Sequence, residues 1–308
     1  GRGWMEQACG KGIWVGTGSG QSRGILRTRI DAENAPAQTK DKPEHLRAIE
    51  LTDAGQLRPH NEDYLGSVVP QDPDLLQGKG ALCLVADGMG GHQAGEVASR
   101  EAVEVVIEHY YDDPRRDIPG SLTRAFQAAN QSIYKHASSS PTTAGMGTTL
   151  VAAVVRGRKA YVANVGDSRA YSIGRKGIRQ ITDDHSWVEE QVRAGLLSPE
   201  RARRHPQRNL ITRALGSRPT VEVDLFETRI RKGEAILLCS DGLTNHVEDL
   251  EIEGTLRSYP AEEAVEALVA MANERGGSDN ISVVLFGRPD GTRTLAGDQT
   301  GPALHALA

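Results

Sequence analysis

Aromatic side chains are scarce in this 308-residue chain: three Trp, seven Tyr and three Phe make up only 4% of it. That leaves few flat faces on which the bases of a single strand could stack. Positive charge is not in excess either. The 36 Lys and Arg stand against 41 Asp and Glu, a formal net charge of −5. A nucleic-acid binder needs a basic footprint that displaces counterions from phosphates, so the balance argues against that class. No run of about 18 apolar residues occurs, and no membrane-spanning helix is expected. The first residues lack the charged start and apolar stretch of a secretory leader. Cysteine is limited to Cys9, Cys83 and Cys239. Three widely spaced thiols exclude a disulfide framework and a paired-cysteine zinc site, and they suit a reducing compartment. A soluble, cytoplasmic, monomeric protein is the expectation.

What is present divides the chain in three. Residues 1–45 are small, polar and glycine-rich, with little apolar periodicity, and are expected to form a flexible extension. The string GTGSG within them lacks the Gly-Lys-Ser/Thr ending of a phosphate loop. Residues 290–308 are expected to be a loose tail. Between them, 46–289 has the character of one domain. Strand-like runs occur at 81–86, 149–155, 160–165, 235–239 and 281–286, bounded by Gly, Asp or Asn. The Gly166-Asp167-Ser168 segment between AYVANV and RAYSI has the composition of a hairpin turn. Helical periodicity fits 95–111, 121–137 and 261–275. Two helices arrive consecutively between strands, which favours an α+β fold of antiparallel sheet over a doubly wound parallel one.

Acids stand at the ends of these runs. Asp87 follows ALCLVA, Asp241 follows AILLCS, Asp279 precedes Asn280 and ISVVLF, Asp167 lies in the turn, and Glu62–Asp63 close RPHNED. Any one of them is an ordinary turn former. Convergence of all of them without cations would force several to stay protonated. Hard divalent ions such as Mg²⁺ or Mn²⁺ relieve that repulsion through oxygen coordination, and the absence of His and paired Cys from these positions disfavours zinc.

The segments TDAGQLRPHNEDYLG (52–66), LVADGMGGHQAGEVAS (84–99), GMGTTL (145–150), VANVGDSRAY (162–171), LLCSDGL (237–243) and SDNISVV (278–284) occur in that order. Together they resemble the metal-dependent Ser/Thr phosphatases of the protein phosphatase 2C (PPM) family, in its bacterial branch, from about Ala48 to Phe286. The resemblance implies two packed antiparallel β-sheets flanked by α-helix pairs, a four-layer αββα sandwich with a dinuclear Mn²⁺ or Mg²⁺ centre at one end. It implies that Asp87 bridges both ions, that Asp241 and Asp279 complete the first, and that the Gly88 carbonyl and Glu62 serve the second. Asp63 would act through bound water, and Asp167 with Asp241 would hold a weaker third ion. Many bacterial relatives carry Gln at the Glu62 position. Attack on phosphorus by a hydroxide bridging the ions needs no covalent phosphoenzyme.

Arg58 matches the family's phosphate-binding arginine, whose guanidinium offers two parallel donors to phosphate oxygens. His92 is the candidate general acid, although eukaryotic relatives place a His directly after the Asp-Gly pair and this chain does not. The arginine-rich stretch 184–218 coincides with a flap of the family and could attract acidic phosphopeptides, or be a solvated helix face. The implied partners are phosphorylated proteins and a bacterial Ser/Thr kinase whose targets they are. A cysteine-dependent phosphatase is excluded, because the residues six positions after the cysteines are Val15, Met89 and Asn245 rather than Arg. A two-metal nuclease is disfavoured by the acidic net charge and the lack of a basic groove signature, and a catalytically weak regulatory or binding domain of the same fold would be marked by a missing metal carboxylate, of which none is missing.

Overall fold

The computed structural model describes residues 15–18, 46–90, 94–231 and 233–287. Two antiparallel sheets face each other. One runs in the order β1 (Val15–Gly18), β3 (Asp63–Val68), β4 (Ala81–Met89), β6 (Leu150–Arg156), β7 (Lys159–Val165), β10 (Asp224–Arg229), with the short β5 (Gly147–Thr148) paired to the end of β4. The other runs β2 (Arg47–Asp53), β12 (Ile281–Gly287), β11 (Ala235–Cys239), β8 (Arg169–Gly174), β9 (Gly177–Gln180). Helix α1 (Pro73–Lys79) precedes β4, α2 (Ala94–Asp112) and α3 (Ile118–Ser139) cover the first sheet, and α4 (Trp187–Arg193) and α5 (Pro199–Arg203) lie on the connection after β9. The one-turn α6 (Asp241–Thr244) follows β11, and α7 (Asp249–Ser258) and α8 (Ala261–Glu274) cover the second sheet.

Three apolar layers result, and they explain why the strands are continuous apolar runs. Along β11, Ala235, Leu237 and Cys239 pack under α7 and α8, while Ile236 and Leu238 enter the layer between the sheets. Both faces are dry, so the polar half of the period-two pattern disappears. The helices keep theirs. Ala98, Ala102, Val106 and Tyr110 of α2 and Leu122, Phe126, Ala129 and Ile133 of α3 form one buried face over Leu82, Leu84 and Val154. Phe126 is fully buried in that layer, and truncation to Ala would cost about 3–5 kcal/mol.

The αββα architecture is as expected from the sequence, and one local expectation needs correction. Gly166-Asp167-Ser168 is not a hairpin turn: β7 pairs with β6 and β10, whereas β8 pairs with β11 and β9 in the opposite sheet. The three residues carry the chain across the sandwich, with Ser168 fully buried. Gly166 has φ 116°, and a Cβ there would collide with Thr149, so only glycine fits the crossing. Within residues 1–45, β1 pairs Val15 with Val68 and Gly18 with Leu65 along the edge of β3. The rest of 1–45, and 290–308, lie outside the described residues.

A buried acid enters the layer between the sheets. Glu50 of β2 follows Leu46 and Ala48 on the inward side. Its Oε1 is sealed from solvent without a hydrogen-bond partner. Burial pushes its carboxyl up to about 7, against a hydrogen bond with Ser67 of β3 that acts the other way.

Candidate active site

Antiparallel pairing brings the acid-bearing segments to one end of the sandwich. Asp63 opens β3 directly opposite Asp87 on β4, Asp167 follows β7, Asp241 follows β11, and Asp279 lies just before β12. Strands that run in opposite directions place the exits of β4, β7 and β11 beside the entrances of β3 and β12.

Each acid has its own support. Asp63 is buried, and its Oδ2 accepts from Ser240 Oγ at 2.8 Å. Asp241 Oδ2 accepts from Asn245 Nδ2 at 3.0 Å, one turn along α6. The Asp87 backbone is pinned by Thr149 N to its carbonyl at 2.9 Å and by Thr148 Oγ1 to the same carbonyl at 2.8 Å. Thr148 and Thr149 are therefore scaffold. Ser168 Oγ meets Thr149 Oγ1 at 2.7 Å, and Arg169 grips Asp184 through Nε and NH2 at 2.7–3.0 Å. Gly88 sits where a Cβ would strike the carbonyl oxygens of Gly95 and Glu62. The Glu62 carboxyl lies over Gly95, in the first turn of α2, and accepts a backbone hydrogen bond there. A helix N-terminus favours negative charge at that place.

Asn280 organises the loop that bears Arg58 and Glu62. Its Oδ1 accepts from the Glu62 amide at 2.8 Å, and its Nδ2 donates to the carbonyls of Ala54 and His60 at 2.9 and 3.0 Å. Arg58 is half-exposed and donates from NH2 to Asp279 Oδ2 at 2.8 Å. Asp279 Oδ1 accepts from the Asn280 amide at 2.9 Å. Sequence reasoning assigned no role to Asn280, Ser240 or Asn245. Single polar residues at strand ends have no spacing that marks them. His92 lies outside the described residues.

The electrostatics are those of crowded, unshielded acids. Burial raises the Asp87 carboxyl well above the usual range, and Asp63, Asp241, Asp167 and Asp279 add to the shift. Burial likewise lifts Asp167, with Asp241 and Asp184 adding. Asp63 and Asp241 move the same way, burial first and neighbouring acids second. Burial raises Glu62 against the opposing charge of Arg58. On Arg58, burial pulls the guanidinium down, but Asp279, Glu62 and Asp87 outweigh it and the group is raised. Asp87 and Asp241 each feel other acids of the set, which ionised carboxylates tolerate only with a proton or a cation between them. The Oδ1 atoms of Asp63, Asp167 and Asp241 are buried without any hydrogen-bond partner. Among the described residues, no three His, Cys, Asp or Glu side chains are drawn close enough to hold an ion as they stand. Several are turned to protein donors instead: Asp63 to Ser240, Asp241 to Asn245, Asp279 to Arg58.

A groove of about 960 Å³ is lined by Asp167 and Asp241 together with Arg203, Arg204, Arg208, His246 and Glu248. Arg203 meets Glu248 at 3.2 Å.

Known proteins share this pattern. The model of the protein phosphatase 2C family matches residues 61–285. The serine/threonine phosphatase stp of Listeria innocua is 41% identical over 242 residues, covering 77% of this chain and 94% of the relative. The crystal structure of Stp1 from Staphylococcus aureus superposes with a TM-score of 0.73 at 36% identity, covering 82% of this chain and 99% of that one. The catalytic domain of the phosphatase PstP, solved in complex with two manganese ions, gives 0.68 at 34% identity over 79% and 97% of the two chains. With the family model spanning most of the sandwich and its acid-bearing end, the chain belongs to the protein phosphatase 2C family.

Proposed function

We propose that this protein is a metal-dependent protein Ser/Thr phosphatase whose chemistry takes place at the acid-bearing end of the sandwich. The observation that carries this reading is the set of buried Oδ1 atoms on Asp63, Asp167 and Asp241 that have no hydrogen-bond partner, at the end of the sandwich where Asp63 pairs directly with Asp87. Every donor in the set is an oxygen, which fits hard ions such as Mn²⁺ or Mg²⁺. Asp87, Asp241 and Asp279 would hold one ion. Asp87, the Gly88 carbonyl and Glu62 would hold the second, with Asp63 acting through water. Asp167 and Asp241 would hold a weaker third. When bound, such ions lower the pKa of water and shield the charge of the phosphate.

The chain's own residues do the rest. Arg58 binds and orients the phosphate through its planar fork. Its tie to Asp279 is half-exposed, so the guanidinium can turn to phosphate and release Asp279 Oδ2 as a ligand atom. Asn280 and Gly88 keep the Glu62 loop against α2. His92 is proposed to protonate the leaving alkoxide. The catalytic unit is proposed to be 46–289, with 1–45 and 290–308 outside the chemistry; the pairing of β1 stops at Leu65, short of Asp63. Substrates are proposed to be phosphoserine and phosphothreonine proteins, the targets of a partner Ser/Thr kinase. Among the described residues no helix is long and apolar enough to cross a membrane.

The test is turnover of a phosphothreonine peptide with Mn²⁺, with Mg²⁺ and with EDTA. Turnover that survives excess EDTA would refute the reading.

A further inference from the structure

Behind the acid-bearing end lies a second polar cluster that the chemistry above does not use. His185 is almost fully buried. Its Nδ1 faces the Gly166 amide at 2.9 Å, and its Nε2 faces Asp224 Oδ2 at 3.1 Å. Arg213 NH1 donates to Asp224 Oδ1 at 2.6 Å and stands 3.1 Å from His185 Nε2. The backbone of His185 is tied on both sides: its amide donates to the Gly166 carbonyl at 3.0 Å, and its carbonyl accepts from Thr212 at 2.8 Å.

These contacts determine the protonation of the ring. A backbone amide only donates, so Nδ1 must offer a lone pair to Gly166. The single proton of the neutral ring is therefore on Nε2, where it is donated to Asp224. The nearby Arg213 nitrogen is a second donor converging on the same carboxylate, not a partner of the ring. An imidazolium would set N–H against N–H at Gly166. Burial, reinforced by the Arg213 charge, also lowers the basicity of His185 against the pull of Asp224.

The location gives the contacts their meaning. Gly166 directly precedes Asp167 at the crossing between the sheets. Residues 186–211, which include α4, α5 and the arginines that line the groove, leave and rejoin the body at the same place: Ser186 bridges to Ile211, and the Trp187 amide donates to Leu210. We infer that His185, in its neutral form with the proton on Nε2 and braced by Asp224 and Arg213, is a positioning residue. It locks the Gly166–Asp167 turn and the root of the 186–211 excursion into one register. Its consequence for metal rests on the reading of Asp167 as a ligand; the register itself does not.

Asparagine at 185 can place an acceptor where Nδ1 is, whereas glutamine reaches only the Nε2 position. Full-length wild type, His185→Asn and His185→Gln are compared by ¹⁵N NMR of the ring in the wild type, by hydrogen exchange of the Gly166 amide without metal, and by calorimetric titration with Mn²⁺. The expected results are a wild-type ring with bare Nδ1 and protonated Nε2, and Gly166 exchange in His185→Asn within about threefold of wild type. In His185→Gln, Gly166 exchange should be on the order of tenfold faster or more, the loss of one buried hydrogen bond. Weak-site Mn²⁺ affinity should fall by a similar factor in His185→Gln only. A proton on Nδ1, or equal exchange in the two variants, overturns the inference. If exchange separates the variants but Mn²⁺ affinity does not, the register stands and the reading of Asp167 as a ligand fails.

Discussion

Two sets of carboxylates in this molecule are handled in opposite ways. At the helix layers Asp113 and Glu251 are each matched to an arginine. Asp113 accepts from Arg124 Nε and NH2 at 2.8 and 2.6 Å and from the Arg115 amide at 2.9 Å. Burial alone would raise it, but these donors hold it down at about 2. Glu251 is forked by Arg275 at 2.7 Å through both nitrogens, and this hydrogen bonding holds it at about 2. At the sandwich end Asp63, Asp87, Asp167 and Asp241 all move upward, because burial and one another are their main surroundings. Of the cations near this end, Arg58 is half-exposed and engages Asp279, and Arg169, which pulls Asp167 and Asp241 down, is itself paired with Asp184. The fold therefore neutralises its structural acids internally and leaves its functional acids to be neutralised from outside.

The most severe way to break this contrast is to remove one functional acid. Asp87→Asn should reduce phosphopeptide turnover on the order of 10³-fold or more, since several kcal/mol of transition-state stabilisation depend on the metal clamp. Steady-state kinetics across Mn²⁺ concentrations measure it. The second test concerns Glu50, a buried acid that belongs to neither set. Its carboxyl titrates near 4.5 when unfolded and about 7 when folded. Below 4.5 both states hold the proton and nothing is lost. As pH rises from there to 7 the unfolded chain releases the proton first, so stability falls, and above 7 the full cost is present. Glu50→Gln should therefore gain at most roughly 3 kcal/mol at pH 8 and little near pH 4.5. Urea denaturation at the two pH values decides.

Arg58→Ala should lower kcat/KM by about 1.5–3 kcal/mol in free-energy terms while the melting temperature holds, because the side chain is half-exposed and its loss is a loss of phosphate contact. Parallel kinetics on p-nitrophenyl phosphate and a phosphopeptide check it. The mildest test sharpens the contrast directly. In EDTA at pH 8, Asp63→Asn should raise unfolding free energy by roughly 1 kcal/mol by relieving repulsion, and Asp113→Asn should lower it by about 1 kcal/mol by unpairing Arg124. Shifts of the same sign would dissolve the distinction between the two sets.

Much of the architecture could be seen in the sequence because burial on both faces writes itself as uninterrupted apolar residues. The runs at 81–86, 149–155, 235–239 and 281–286 all became strands. The strands β2 and β10 carry mixed residues such as Arg47, Glu50 and Glu227 on sheet edges, and leave no such trace. The error at Gly166–Ser168 has a different origin. A glycine and an aspartate between two strands look alike whether the strands lie in one sheet or two, and only the pairing of Arg169 with Cys239 distinguishes them. The acids at the centre were visible through their strand-end positions. Their supports were not: Asn280, Ser240 and His185 act across long sequence separations, and no local pattern encodes a partner on another strand.

The pairing of β2 with β12 joins the beginning of the described domain to its end, Asp53 to Ile281 and Arg47 to Gly287. During synthesis, β2 waits for its hydrogen-bonding partner until β12 has left the ribosome. Such distant closure is slow, because chain entropy is lost before contacts repay it. Asn280, which sits just ahead of that strand, also shapes the loop of Arg58 and Glu62. Until β12 docks, the loop of Arg58 and Glu62 lacks its Asn280 anchor, so order at the acid-bearing end comes together with closure of β2 on β12.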